Sequence, residues 1–168
     1  RVAEDEDGVQ VMVFTRDQPD LFVRLTGFFG RLGFSILDAK VHTTRHGYAL
    51  DSFMLQDPSR AGSYRDLVPI IEHELAARLN TPGGGPIERP SAGRLSRQVK
   101  HFPITPQVSV RADEAGRHYI LSVIAADRPG LLFGIAEILA RYHINVQAAK
   151  IATLGQRVED TFLLTGSA

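Results

Sequence analysis

Ala126-Asp127-Arg128-Pro129-Gly130-Leu131-Leu132 marks the point where an apolar strand stops, turns tightly and gives way to a helix. Pro129 has a φ preset for a first helical turn and no N–H to lose there, and Gly130 keeps the backbone bare where another molecule could approach. Asp127 is placed to cap the free N–H groups of that turn. The result is a small polar concavity backed by the positive end of a helix, suited to a charged small molecule. The pattern D-x-P-x-L occurs again 110 positions earlier, in Arg16-Asp17-Gln18-Pro19-Asp20-Leu21-Phe22. Two such turns predict a duplicated unit.

The helices behind the turns support the duplication. Leu21, Phe22, Leu25, Phe28, Phe29 and Leu32 form one apolar stripe at helical spacing, and Leu131, Leu132, Ile135, Ile138, Leu139 and Tyr142 repeat it at the same offset. Tyr64 and the aromatic helix positions Phe22, Phe28, Phe29, Phe133 and Tyr142 are expected in the core. Before the first turn Val9 to Phe14 reads as a strand, and Glu4 to Gly8 as an acidic lead-in. Beyond the first helix Phe34 to Thr44 and Tyr48 to Gln56 read as a hairpin bent at Arg45-His46-Gly47. A second helix is expected to start near Asp66, capped by Ser63 or Asp66, with Tyr64, Leu67, Ile71, Leu75 and Leu79 on its stripe and Pro69 early in it. Thr81 to Pro86 can hold neither helix nor strand, and Arg89, Arg94, Arg97 and Lys100 follow, so the stretch reads as a Gly/Pro-rich, basic linker.

After the linker, Val108 to Arg111 turns at Asp113 to Gly116 into Tyr119 to Ala125, which leads to the second copy of the turn. Asp160-Thr161-Phe162 answers Asp51-Ser52-Phe53. Three segments result: a first module over 1–80, the linker over 81–106 and a second module over 107–168 that lacks its second helix. Strand-helix-strand-strand-helix closes economically as an antiparallel sheet with helices on one face, an α+β ferredoxin-like βαββαβ unit. With the closing strand missing at the end, Val108 to Arg111 is expected to complete the second sheet from the front. Val9 to Phe14 is then left as an open edge for pairing between modules or chains.

Composition excludes several classes. Lys plus Arg equals Asp plus Glu at 19 each, so no net field favours nucleic acid or an anionic membrane. Without cysteine there is no thiolate nucleophile or disulfide. No apolar run reaches the ~18 residues of a membrane helix, which makes a cytoplasmic setting the expectation. The start at Arg1, without an initiator Met, suggests a piece of something longer. His42 and His46 fall on a strand and its bend, where residues four apart stand about 13 Å apart, so they are surface histidines rather than a metal pair. Asp51 and Asp160 have no His or Lys beside them to complete an acid–base set, and duplication accounts for them. His46-Gly47-Tyr48-Ala49-Leu50-Asp51-Ser52-Phe53 comes near an RNA-binding consensus, but Leu50 stands where a stacking aromatic is needed and Asp51 puts a charge mid-strand. An RNA-binding module of the same topology, or a purely structural dimerisation module, is the alternative reading.

The D-x-P-G-L-L turn with its helix and Ile144-Asn145-Val146 resembles ACT domains, small amino-acid-sensing modules. The tandem copies, the Thr43-to-Gly47 bend, the basic linker and Arg157-Val158-Glu159-Asp160-Thr161-Phe162 are similar to the C-terminal ACT pair of the bacterial PII uridylyltransferase/uridylyl-removing enzymes. The resemblance implies a non-catalytic regulatory fragment that senses glutamine and sets the balance of two activities residing in catalytic domains elsewhere in a nitrogen-regulation enzyme. It further implies PII signalling protein as a partner through the parent, ACT–ACT pairing within or between chains, and no nucleic acid or membrane. No cofactor is expected in this fragment, whereas the parent is expected to need a divalent metal. Onto this sequence it carries a ligand site at Asp127, Arg128, Pro129, Gly130 and Leu131, with Asn145 and Val146 alongside, and a second at Asp17, Gln18, Pro19 and Asp20. Asp20 departs from the family glycine, so the better site is expected in the second copy.

Overall fold

The structure is a computed structural model and describes residues 1–5, 8–57, 59–60, 62–90, 104–128 and 130–166. The first copy contains β1 (Val2–Asp5), β2 (Gly8–Arg16), α1 (Leu21–Arg31), β3 (Ser35–Thr43), β4 (Tyr48–Gln56) and α2 (Val68–Leu79). The second contains β5 (Gln107–Ala112), β6 (Tyr119–Ala126), α3 (Leu131–Arg141), β7 (Ile144–Leu154) and β8 (Arg157–Gly166). All eight strands join one antiparallel sheet in the order β1-β2-β4-β3-β7-β8-β6-β5. The α+β class and the ferredoxin-like modules agree with the sequence reading, but the two sheets expected are one.

The seam explains this. β3 and β7 pair from Asp38↔Ala152 through Lys40↔Lys150 to His42↔Ala148. Because the repeat offset is 110, Lys40 and Lys150 are each other's counterparts, and the register is symmetric about them. The copies are therefore related by a local twofold, which puts α1 and α3 side by side on one face, and Gln147 Nε2 donates to Thr43 O across the seam at 3.1 Å.

Strand alternation puts Val9, Val11 and Val13 of β2, and Leu121, Val123 and Ala125 of β6, on the helix side of the sheet. There Phe28, Phe29, Phe53 and Phe162 are among the most buried side chains. Phe29 and Phe53 pack with ring centroids 5.1 Å apart, and Phe22 meets Phe162 edge-on from the other copy at 6.2 Å.

β5 pairs with β6 as Val108 to Arg111 was expected to, closing the second copy from the front. The open edge expected along Val9 to Phe14 is not there: β1 pairs with β2, Val2 opposite Val11, and covers it in the same manner. Four residues ending in Glu4-Asp5 do not read as a strand, because the partners of Glu4 lie far away in sequence. Its Oε1 accepts the Tyr64 N–H at 2.7 Å and the Ser63 hydroxyl at 2.6 Å, and Val2 N–H donates to Glu72 of α2 at 3.1 Å. Ser63 is thereby used elsewhere and does not cap α2, whose cap position is Leu67, and Asp66 pairs with Arg60 at 2.6 Å. Pro69 falls in the first turn, where it removes no helical hydrogen bond.

Two further expectations need correcting. Pro82–Gly84 form one 3₁₀ turn at the start of the linker, and from there the chain lies over α1, so that a Cβ at Gly27 would collide with Glu88 O and one at Gly30 with the Pro90 ring. Glu88 is held there by Arg78 at 2.7 Å. The linker basics Arg94, Arg97 and Lys100 lie outside the described residues. Tyr142, expected in the core, is exposed: it is the C-cap residue of α3, and its counterpart Leu32 is exposed as well.

Candidate functional site at the two turns

Each turn is held by the hairpin bend of its own copy. Asp17 N–H donates to Gly47 O at 2.8 Å, and Asp127 N–H donates to Gln156 O at 2.7 Å. The residue before each helix is left-handed, Asp20 at φ 59° and Gly130 at φ 77°. Gly130 therefore serves the backbone as well as leaving space, and Asp20 occupies the same conformation at a cost of about 1 kcal/mol. The cap position of α3 belongs to Gly130 rather than Asp127, and α3 has no side-chain cap. The Asp127 carboxyl faces the Arg128 N–H instead, and burial raises its pKa. Pro129 lies outside the described residues.

Two cavities open at the turns. One, of about 340 Å³, is bounded by Asp127, Arg128, Gly130 and Leu131, by Phe34, Ser35 and Ile36 at the entry to β3, and by Asp160. The other, of about 360 Å³, is bounded by Asp17, Gln18, Pro19 and Asp20, by Ile144, Asn145 and Val146 at the start of β7, and by Asp51. Volumes of this size suit a small organic ligand. Both cavities are composite: each takes its turn from one copy and its strand start from the other. Asn145 and Val146, expected beside the second turn, belong to the cavity of the first. Ser35 and Ile36, their counterparts in the first copy, stand beside Asp127 and Gly130. The β3–β7 seam causes the exchange, because it carries each strand start across the twofold to the other copy's turn.

The two turns differ in what else they hold. Gln18 Nε2 donates to Leu79 O at the end of α2 at 3.0 Å, which ties the first turn to a helix. Arg128, its counterpart, lines the second cavity. Pro90 reaches that same cavity from the linker. Among the described residues no group of three or more His, Asp or Glu side chains is placed to hold a metal ion. His42 and His46 are exposed.

Sequence reasoning set aside Asp51 and Asp160, and the structure brings both into the cavities. Each lies on the helix side of the sheet's central strands, where alternation alone would put an apolar residue. Burial pushes Asp51 up to about 7, opposed by the His42 N–H that donates to it at 3.3 Å and aided by repulsion from Asp17. Burial pushes Asp160 up to about 6, opposed by the Ala152 N–H and aided by Asp127. The visible signal for both was a charged residue recurring at an inward-facing strand position.

The fold and the paired, composite cavities define a tandem module of the ACT type, and residues 119–167 match the ACT domain family. The chain aligns along 99% of its length, at 73% identity, with the bifunctional uridylyltransferase/uridylyl-removing enzyme of Aromatoleum aromaticum, covering 19% of that protein. Similar matches join it to enzymes of the same name from Chromobacterium violaceum, 54% identical over the whole chain and 20% of the relative, and Cupriavidus metallidurans, 52% identical over 99% of the chain and 19% of the relative. The match to the ACT domain family lies in the second copy, and the chain as a whole aligns with one segment of those enzymes. It spans about a fifth of the length of these curated relatives. No solved structure matches it. Among the described residues no helix is long and apolar enough to cross a membrane.

Proposed function

We propose that this chain is a regulatory amino-acid-sensing module, with glutamine as its ligand, in a cytoplasmic enzyme that adds uridylyl groups to PII signalling protein and removes them. The observation that carries the reading is the composite build of the cavities. A molecule held between the Asp127–Leu131 turn and the Phe34–Ile36 strand start touches both copies at once, so its binding free energy depends on how the copies are arranged. Occupancy then biases that arrangement and is relayed to the catalytic domains of the parent chain. The sites are Asp127, Arg128, Gly130 and Leu131 with Ser35 and Ile36, and Asp17, Gln18, Pro19 and Asp20 with Asn145 and Val146. Alignment with the bifunctional enzymes supports the setting, and the zero formal net charge of the chain accords with a zwitterionic ligand.

Calorimetric titration of the chain with glutamine, glutamate and asparagine tests the reading. Glutamine is expected to bind best, and a sensor of a metabolite near millimolar needs only about −4 to −5 kcal/mol. If none of the three binds, the sensing function is wrong.

A further inference from the structure

Asp160 is a buried acid with an empty space in front of it. It is 3% exposed, sits in the middle of β8 and borders the cavity of the second turn together with Asp127. The Ala152 N–H faces its carboxyl, and its Oδ1, sealed from solvent, has no hydrogen-bond partner among the described residues. No cation among them forms an ion pair with it, and the like charge of Asp127 acts on it. A buried carboxylate oxygen left unpaired is costly, and a second acid in the same cavity adds to the cost. A cationic group arriving in the cavity would relieve both.

We infer that Asp160 and Asp127 together receive the primary ammonium of the ligand, so that the cavity selects molecules with a free, protonated amino group. The inference rests on the amino-acid-sensing reading and names the part of the ligand that is read. The ammonium has three donors, which two converging carboxylates can engage without strict angular demands. The ligand's carboxylate is left for the uncapped start of α3, where N–H groups and the helix dipole favour an anion. The first copy repeats the arrangement, Asp51 with Asp17 in one cavity, and the His42 N–H on Asp51 Oδ1 answers the Ala152 N–H that faces Asp160.

The experiment is calorimetric titration of the unmodified chain and of Asp160→Asn with glutamine and with glutaramic acid, which is glutamine without its amino group. Glutamine is expected to bind the unmodified chain about tenfold or more tightly than glutaramic acid, and Asp160→Asn is expected to remove most of that preference, since a charge-assisted hydrogen bond is lost. A merely structural Asp160 would weaken both ligands alike. If the unmodified chain binds glutamine and Asp160→Asn keeps the full preference, the assignment to Asp160 falls while sensing stands. Should Asp160→Asn not fold, the unmodified chain decides: equal binding of the two ligands overturns the inference, and a preference for glutamine that strengthens as Asp160 ionises on raising the pH from 5 to 7 supports it. Asp57, Asp127 and Arg128 face the same cavity, and repeating the pH series in Asp127→Asn separates the titration of Asp127 from that of Asp160. If no amino acid binds the unmodified chain, the sensing reading and this inference fail together.

Discussion

The two copies share a turn, a helix stripe, a buried aspartate and a closing strand from the front, yet they stand in different surroundings. In the first, α2 lies over β1 and the outer side of α1, so that Val9 is 0% and Phe28 is 1% exposed, and Arg78 stacks over the Phe28 ring at 4.4 Å. In the second no helix among the described residues takes that place, and the counterparts Tyr119 and Ile138 are 56% and 54% exposed, with Val108 and Val110 of β5 open beside them. The same local pattern thus yields a finished core on one side of the twofold and an uncovered apolar face on the other. A repeat in sequence transfers secondary structure, whereas burial depends on what the rest of the chain brings.

The strongest way to break that comparison is to truncate the counterpart pair at the helix. Phe28→Ala should cost about 3–5 kcal/mol, and Ile138→Ala under ~1 kcal/mol, because only the first leaves a cavity. Denaturant unfolding of both variants measures this, and equal losses would mean that the second face is covered in solution.

Next in size is the buried acid. A carboxyl whose folded-state pKa is raised holds its proton more tightly folded than unfolded, so its stabilising effect is present below about 3.8, the ordinary value for an aspartate, and is lost as pH climbs to about 7 for Asp51 and about 6 for Asp160. Asp51→Asn keeps the contact to the His42 N–H and removes the charge. At pH 8 it is expected to raise stability by on the order of 2–4 kcal/mol, and at pH 4 to change it little. Asp160→Asn should follow the same trend with a smaller gain. Melting curves between pH 4 and 8 check both, and a pH-independent difference would show that neither acid is titrating where its burial says.

Smaller effects separate the turns themselves. Gly130→Leu forces a branched side chain into φ 77°, at about 1–2 kcal/mol, although its Cβ would meet the Pro90 ring no closer than 3.8 Å. Glutamine affinity at the second cavity should fall with it, and unchanged affinity would mean that the first cavity is the working site. Asp20→Gly is the converse and the mildest change: relief of the left-handed aspartate should add up to about 1 kcal/mol, read as a rise of a few degrees in melting temperature.

Much of this molecule is written locally. The two D-x-P-x-L turns, both stripe-bearing helices, the hairpins β3–β4 and β7–β8 and the front-closing β5 follow from periodicity and turn chemistry, since each depends on residues a few positions apart. The turn residues of both cavities were legible for the same reason. What needed the folded chain is everything that depends on a distant partner. Glu4 passes for a lead-in residue until Ser63 and Tyr64 come to it. The buried aspartates look like unremarkable repeats until alternation turns them inward. And Asn145 sits beside Asp17 rather than Asp127 because β3 and β7 pair with each other instead of forming separate edges, each of which would present a row of unpaired N–H and C=O groups. That pairing makes the two copies one sheet, and it is what exchanges the halves of the two sites.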